Sequence, residues 1–170
     1  MTISEYFQIP VDTLIATFIP NCSTSTQKGR STKAGKYLFF YTGITNTLSE
    51  LIDIPEFPDE RWGILFEQWT GTTILKTLYN HNIRGEVCFW REGKREINWI
   101  VKSGRNIIPI EVKWGESIRK QALKSLEAYI ERNNLKMGFV VFTGERKRKL
   151  TEKILATPWL ELPEVLLENL

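Results

Sequence analysis

Three β-rich runs separated by two short glycine turns occupy residues 86–113, and they constrain the fold more than any other feature of the chain. The first is Glu86-Val87-Cys88-Phe89-Trp90, closed by Glu92-Gly93-Lys94. The second is Glu96-Ile97-Asn98-Trp99-Ile100-Val101, closed by Ser103-Gly104-Arg105-Asn106. The third runs from Ile107 to Lys113. Glycine turns this short leave no room for a crossover, so the runs form an antiparallel meander. Pro109 has no N–H to donate to a ladder, which points to a free edge or a bulge in the first half of the third strand. Helical periodicity flanks the meander. Residues Glu60 to Tyr79 carry one stripe of Trp62, Phe66, Trp69 and Thr73 and a second of Glu67, Gly71, Ile74 and Leu78. Glu116 to Arg132 places Ile118, Ala122, Leu126, Tyr129 and Ile130 on one face. Leu135 to Thr143 then reads as a buried strand, and the intervening helix makes it parallel to the third run. The class expected is α/β.

The N-terminal part is less regular. Tyr6 to Phe18 is apolar and interrupted by Pro10, and Asn21 to Lys36 is a polar segment with four basic residues, expected to be a mobile loop. Tyr37 to Tyr41 reads as a short buried strand, Thr42 to Leu51 as a short helix, and Asp53 to Asp59 as a proline-rich connector. The expected organisation is an N-terminal extension with a basic loop over residues 1–58, then a core with a C-terminal tail over 59–170. With 42% hydrophobic and 25% charged residues in 170, wholesale disorder is excluded. A net charge of +3 permits nucleic-acid binding without requiring it. Cys22 and Cys88 are too few for a disulfide scaffold and form no metal-type pair, so a reduced cytoplasmic setting is expected. His81, the single histidine, is expected to be exposed near a helix end. No apolar run has the length of a membrane span, and the N-terminus lacks the pattern of a signal peptide.

Strand alternation puts Glu111 and Lys113 on one face, opposite Ile110 and Val112. On the preceding strand Glu96 and Asn98 share a face, opposite Ile97, Trp99 and Val101. Pairing of the two strands would bring Asn98 beside Glu111, within reach of Glu67 from the helix. The plain reading of Glu111 and Lys113 is a structural ion pair at a strand end. For Glu67 it is a solvated residue or a hydrogen bond to the N-terminal segment.

The order of these elements resembles the PD-(D/E)XK nuclease superfamily, whose members place a helix Glu, a strand Asp and a Glu-x-Lys pair around Mg²⁺. A narrower resemblance covers nearly the whole chain. Asp12-Thr13-Leu14-Ile15, Phe18-Ile19-Pro20, Lys36-Tyr37-Leu38-Phe39-Phe40-Tyr41-Thr42-Gly43, Gly63-Ile64-Leu65-Phe66-Glu67, Phe89-Trp90-Arg91, Glu96-Ile97-Asn98-Trp99, Ile110-Glu111-Val112-Lys113 and Pro158-Trp159 follow one another as in the C-terminal domain of a family of prokaryotic AAA-type ATP-binding proteins of uncharacterised function. The resemblance implies a restriction-endonuclease-like core, with a small N-terminal α/β extension. It implies a site built from Glu67, Asn98, Glu111 and Lys113, with Glu96 as a further carboxylate on the same face as Asn98.

Two departures matter. Tyr41 replaces the family's Asp before Thr-Gly, and Asn98 stands at the metal-binding Asp. An Asn offers a carbonyl oxygen but no charge, so Mg²⁺ binding is expected to be weak. Asn98 reads equally as a degenerate position, a native amide ligand or an Asp-to-Asn replacement. The phosphate-loop lookalike from Gly29 to Lys36 has one residue too many and continues into Tyr37, so no nucleotide is expected there. The leading expectation is a DNA- or RNA-binding domain of nuclease ancestry with weak or lost cleavage. The alternatives are an active Mg²⁺-dependent nuclease using Glu96 or Glu67 as substitute ligand, and a regulatory protein-interaction module associated with an AAA-type ATPase. Lys120, Gln121 and Lys124, and the basic run Arg146-Lys147-Arg148-Lys149, are read first as solvated surface and second as phosphate contacts. The six tryptophans are read mostly as core, with Trp114 the candidate for stacking on a base.

Overall fold

The computed structural model describes residues 3–22, 35–48, 59–118 and 120–170, the side chains of residues 3, 4, 59 and 120–122 excepted. Most of the basic loop and of the proline-rich connector lies outside these residues, as do the side chains of Lys120 and Gln121. The architecture is mixed α/β. Helix α1 (Ile3–Asp12) leads into a hairpin of β1 (Ala16–Ile19) and β2 (Lys36–Phe39), followed by α2 (Thr42–Leu48) and the long α3 (Asp59–Asn80). The meander β3 (Glu86–Glu92), β4 (Arg95–Ser103) and β5 (Asn106–Lys113) comes next, then α4 (Lys120–Arg132) and β6 (Gly138–Phe142). The chain closes with β7 (Arg148–Lys149), β8 (Ile154–Pro158), a short 3₁₀ turn and α5 (Leu162–Asn169).

Six strands form one mixed sheet in the order β3-β4-β5-β6-β8-β7. The meander is antiparallel and β5–β6 is parallel, as the turn lengths and the crossover helix require. Gly93 and Gly104 adopt the positive φ that their turns need. Pairing between β5 and β6 begins at Ile110, so Pro109 sits before the first β6 partner, where its missing N–H costs no ladder bond. Residues beyond Thr143 carried no strand expectation. They add the parallel β8 beside β6, and Leu162, Val165 and Leu166 of α5 join the core.

Each face of the sheet buries a helix layer. Phe66, Ile74 and Leu78 of α3 and the apolar face of α5 pack on Phe89, Trp99, Val101, Ile110, Val112 and Val141. Leu123, Leu126, Tyr129 and Ile130 of α4 pack on Trp90, Ile97, Ile100, Val140 and Ile154. Gly71 permits the close approach of α3, because a Cβ there would collide with the Trp99 ring. Ile19 and Leu38 of the N-terminal hairpin also enter the α3-side cluster.

Four details differ from the strict patterns read in the sequence. Cys88 pairs with Ile100 but Trp90 pairs with Ile97, so β4 carries one extra residue in a bulge. Consequently Trp99 packs with α3 while Ile97 packs with α4, and these two do not share a face. The strand around residue 38 ends at Phe39; Phe40 and Tyr41 are exposed. Cys22 and Cys88, read as reduced, form a disulfide with a Cα–Cα separation of 5.6 Å. Only Trp90 and Trp99 among the tryptophans are buried, whereas Trp62 and Trp114 are exposed. Among the described residues, no helix is long and apolar enough to cross a membrane.

Candidate functional site

The sheet forks where β4 and β5 part. Their ladder reaches Trp99 opposite Ile110; beyond that point β4 follows β3 and β5 follows β6. Asn98 lies at the crotch of this fork, next to the bulge. Its side-chain Oδ1 accepts the Val112 N–H at 2.8 Å, and its Nδ2 donates to Glu67 Oε2 at 2.7 Å. The amide thus replaces a ladder carbonyl on one side and meets a helix carboxylate on the other. This pairing uses both ends of the amide group, and a carboxylate at the same position would face Glu67 as a like charge.

Glu67 is held from a third direction. The Lys36 ammonium of β2 lies 2.7 Å from Glu67 Oε1 and 2.7 Å from Glu96 Oε1. Glu96 also pairs with Arg91 on β3, at 2.7 Å. Lys36 further sits 4.9 Å from the centre of the Phe89 ring, a cation–π position. Lys36, Glu67, Glu96 and Arg91 line a cleft of about 460 Å³. Burial alone would raise the Glu96 carboxyl, but hydrogen bonds and charge from Lys36 and then Arg91 outweigh it and hold the group below its ordinary value.

Glu111 and Lys113 point away from Ile110 and Val112, as alternation requires. The Lys113 ammonium lies 2.7 Å from Glu111 Oε1. Glu111 is buried, and that burial raises its carboxyl above the ordinary value; Lys113 opposes the shift, the negative charge of Glu67 adds to it, and the Asn98 backbone N–H opposes it. So Glu67 and Glu111 sense each other across the fork. Direct hydrogen bonds join Glu67 to Asn98 and Lys36, and Glu111 to Lys113.

Glu67, Glu96, Asn98, Glu111 and Lys113 therefore collect at one fork, but their charges form two separately neutralised groups. Glu67 and Glu96 face Lys36 and Arg91; Glu111 faces Lys113. No surplus negative charge remains to attract a divalent cation. Among the described residues no set of three His, Cys, Asp or Glu side chains is disposed to hold a metal ion. The donor set as arranged does not fit Mg²⁺, which wants several oxygen ligands and negative charge. Lys36 is the residue of this cluster that the sequence did not mark as a partner of Glu67 and Glu96. It was counted among the basic residues of a loop, and nothing local marks its partners 31 and 60 residues away.

Of the remaining candidates, His81 is exposed just past α3. Lys147 pairs with Glu161 and Lys149 with Glu152, while Arg148 donates to the Glu116 carbonyl and stacks on Phe142. Three members of the basic run thus have internal partners. Trp114 stacks on Trp62 with ring centres 5.3 Å apart. With Phe66, Trp69 and Trp159 they line an apolar cavity of about 530 Å³.

A family model described as a domain of unknown function (DUF4143) matches residues 62–162. The chain belongs to this family. DUF4143 domains are commonly found in AAA-ATPase-associated proteins. The matched span of the DUF4143 domain runs from the first turn of α3 to the start of α5 and contains Glu67, Glu96, Asn98, Glu111 and Lys113, but not Lys36. No protein of curated function matches the chain.

Proposed function

We propose that this DUF4143 domain binds nucleic acid on a site of PD-(D/E)XK nuclease ancestry, with a restriction-endonuclease-like core, in the cytoplasm, and with metal-dependent cleavage weak or lost. The observation that carries the reading is the pairing at the fork, where every carboxylate faces a side-chain cation and the position of a strand Asp is an amide. Carboxylates repel a phosphate unless a cation intervenes. Here Lys36 and Arg91 line the cleft, so a phosphate backbone meets an ammonium and a guanidinium group without a metal. Glu67 and Glu96, the candidates for a substitute metal ligand, are both engaged by Lys36, which disfavours an active Mg²⁺ enzyme.

Fluorescence anisotropy with labelled single- and double-stranded DNA and RNA tests the reading. Binding is expected to weaken steeply with salt and to fall about tenfold in Arg91→Glu, in keeping with the loss of a phosphate contact and its replacement by a repulsive charge. Mg²⁺-dependent cleavage of plasmid by the wild-type chain, or no salt-sensitive binding to any nucleic acid, would contradict it.

A second reading, a protein-interaction module for an AAA-type ATPase, is favoured by one observation. Tyr6, Phe7, Ile9, Leu14, Phe18 and Phe40 of the N-terminal elements are all exposed, a density of apolar groups that commonly marks a protein contact. Affinity capture from native cells that recovers an ATPase, with no binding to naked DNA or RNA, would favour this module over the first reading.

A further inference from the structure

We propose that the Cys22–Cys88 disulfide is a redox-controlled strap that holds the Lys36 ammonium on the Glu67–Glu96 pair. The inference rests on the connectivity of the N-terminal hairpin and is independent of nuclease ancestry. Lys36 is delivered to the site by β2, whose backbone pairs with β1 through Ile19 opposite Lys36. Three residues after Ile19 the chain reaches Cys22, which is bonded to Cys88 in the edge strand β3.

The segment between them lies along β3 as an added strand fragment. Phe89 donates to the Pro20 carbonyl at 3.1 Å and Cys22 donates to the Phe89 carbonyl at 2.7 Å. The Asn21 amide exchanges hydrogen bonds with the backbone of Arg91. Arg91 and Phe89 are the same residues that contact Glu96 and Lys36. The covalent link, the added strand and the ammonium therefore share one short stretch of β3. Without the link, the hairpin is held by a few hydrogen bonds at a sheet edge, the Gln68 bond to the Phe39 carbonyl, the Lys36 ion pairs and the burial of Ile19 and Leu38, a small set of contacts of the kind that opens by local unfolding. Cys88 is sealed and Cys22 is nearly so, at 9% exposure, so Cys22 is the sulfur nearer to solvent.

Reduction needs a dithiol. One of its thiolates attacks the Cys22 sulfur, forming a mixed disulfide and releasing Cys88 as a thiolate that takes up a proton. The second thiol of the reductant then displaces Cys22, which leaves as a thiol, and the reductant departs as a cyclic disulfide. Two electrons and two protons pass to the protein. A disulfide that closes a long loop and meets a dithiol when the sheet edge beside Cys22 opens suits a regulatory bond in a reducing compartment.

The test acylates amines of the folded, full chain with an N-hydroxysuccinimide ester, with and without prior reduction by dithiothreitol, and reads each lysine by mass spectrometry. Reduction is expected to raise Lys36 labelling roughly fivefold or more, as opening of the unstrapped hairpin becomes more frequent. Lys102, on β4 outside the strap, is expected to stay unchanged. Cys22→Ser is expected to label at the reduced rate whether or not dithiothreitol is present. If that variant does not fold, hydrogen exchange of the wild type supplies the second readout: amides of β1 and β2 should exchange faster on reduction while those of β6 stay protected. Equal Lys36 labelling in both redox states, or free thiols at both positions after air oxidation, would overturn the proposal.

Discussion

Glu96 and Glu111 are the same side chain placed on adjoining strands of one sheet, yet their carboxyls shift in opposite directions. Both lose hydration. Glu96 keeps 33% of its side chain exposed and gains two cations, whereas Glu111 keeps 10% and gains one, with the charge of Glu67 nearby. Partners outweigh desolvation in the first case and fail to in the second. The α3-side group is thus a satisfied ionic cluster, and the Glu111–Lys113 pair is a charge held under protest. What separates them is Lys36, a residue outside the meander that carries both.

The largest effect expected from breaking this difference is at Lys36. Lys36→Met leaves Glu67 and Glu96 facing each other without their shared cation. Chemical denaturation at neutral pH should show a loss of about 2 kcal/mol, short of the figure for a fully buried pair because solvent reaches all three side chains. Adding Glu67→Gln should restore part of it. An unchanged midpoint in Lys36→Met would mean that the cluster is an ordinary surface pair.

A smaller effect is expected at the amide that joins the two groups. Asn98→Ala removes the acceptor for the Val112 N–H and the donor to Glu67. It should cost about 1–2 kcal/mol and speed amide exchange at Val112 selectively. Exchange there at the wild-type rate would show that the fork closes without the amide.

The smallest effect is a pair of opposite pH slopes. Because the Glu96 carboxyl is lowered, the unfolded chain binds more protons just below the ordinary Glu value; stability contributed by Glu96 is present above that value and is lost as pH falls through the folded one. Because the Glu111 carboxyl is raised, the native chain binds more protons just above the ordinary value, and stability falls as pH rises through that window. Glu96→Gln should therefore flatten an acid-side rise in stability, and Glu111→Gln should remove a decline above it. Two variants with slopes of the same sign would show that the two carboxylates do not differ.

Much of this was legible in the sequence. Glycine turns announced the meander, the apolar stripe of Ile118 to Ile130 announced α4, and alternation put Glu111 and Lys113 together. The nearness of Asn98 to Glu111 followed from pairing two runs. The bulge was not legible, because Ile97-Asn98-Trp99 contains neither glycine nor proline to mark it. The bulge puts both Asn98 and Trp99 in contact with α3, Asn98 through its bond to Glu67 and Trp99 by packing on Gly71. Lys36 and the Cys22–Cys88 bond were illegible for a different reason. Their partners lie far along the chain, and local pattern carries no information on which of several basic residues a folded hairpin will deliver. Of the plain readings of Glu67, the hydrogen bond to the N-terminal segment is the one present in the fold.

The most direct measurement is calorimetric titration of Mn²⁺ into the wild-type chain and into a Lys36→Met, Asn98→Asp variant, which removes one positive charge from the fork and adds one negative charge. The wild type is expected to give no saturable heat, and the variant to bind and to be stabilised against denaturation by the ion. Saturable binding by the wild type that disappears in Glu111→Ala would contradict the claim that the ammonium of Lys36 and the amide of Asn98 leave the fork unfit for a divalent cation.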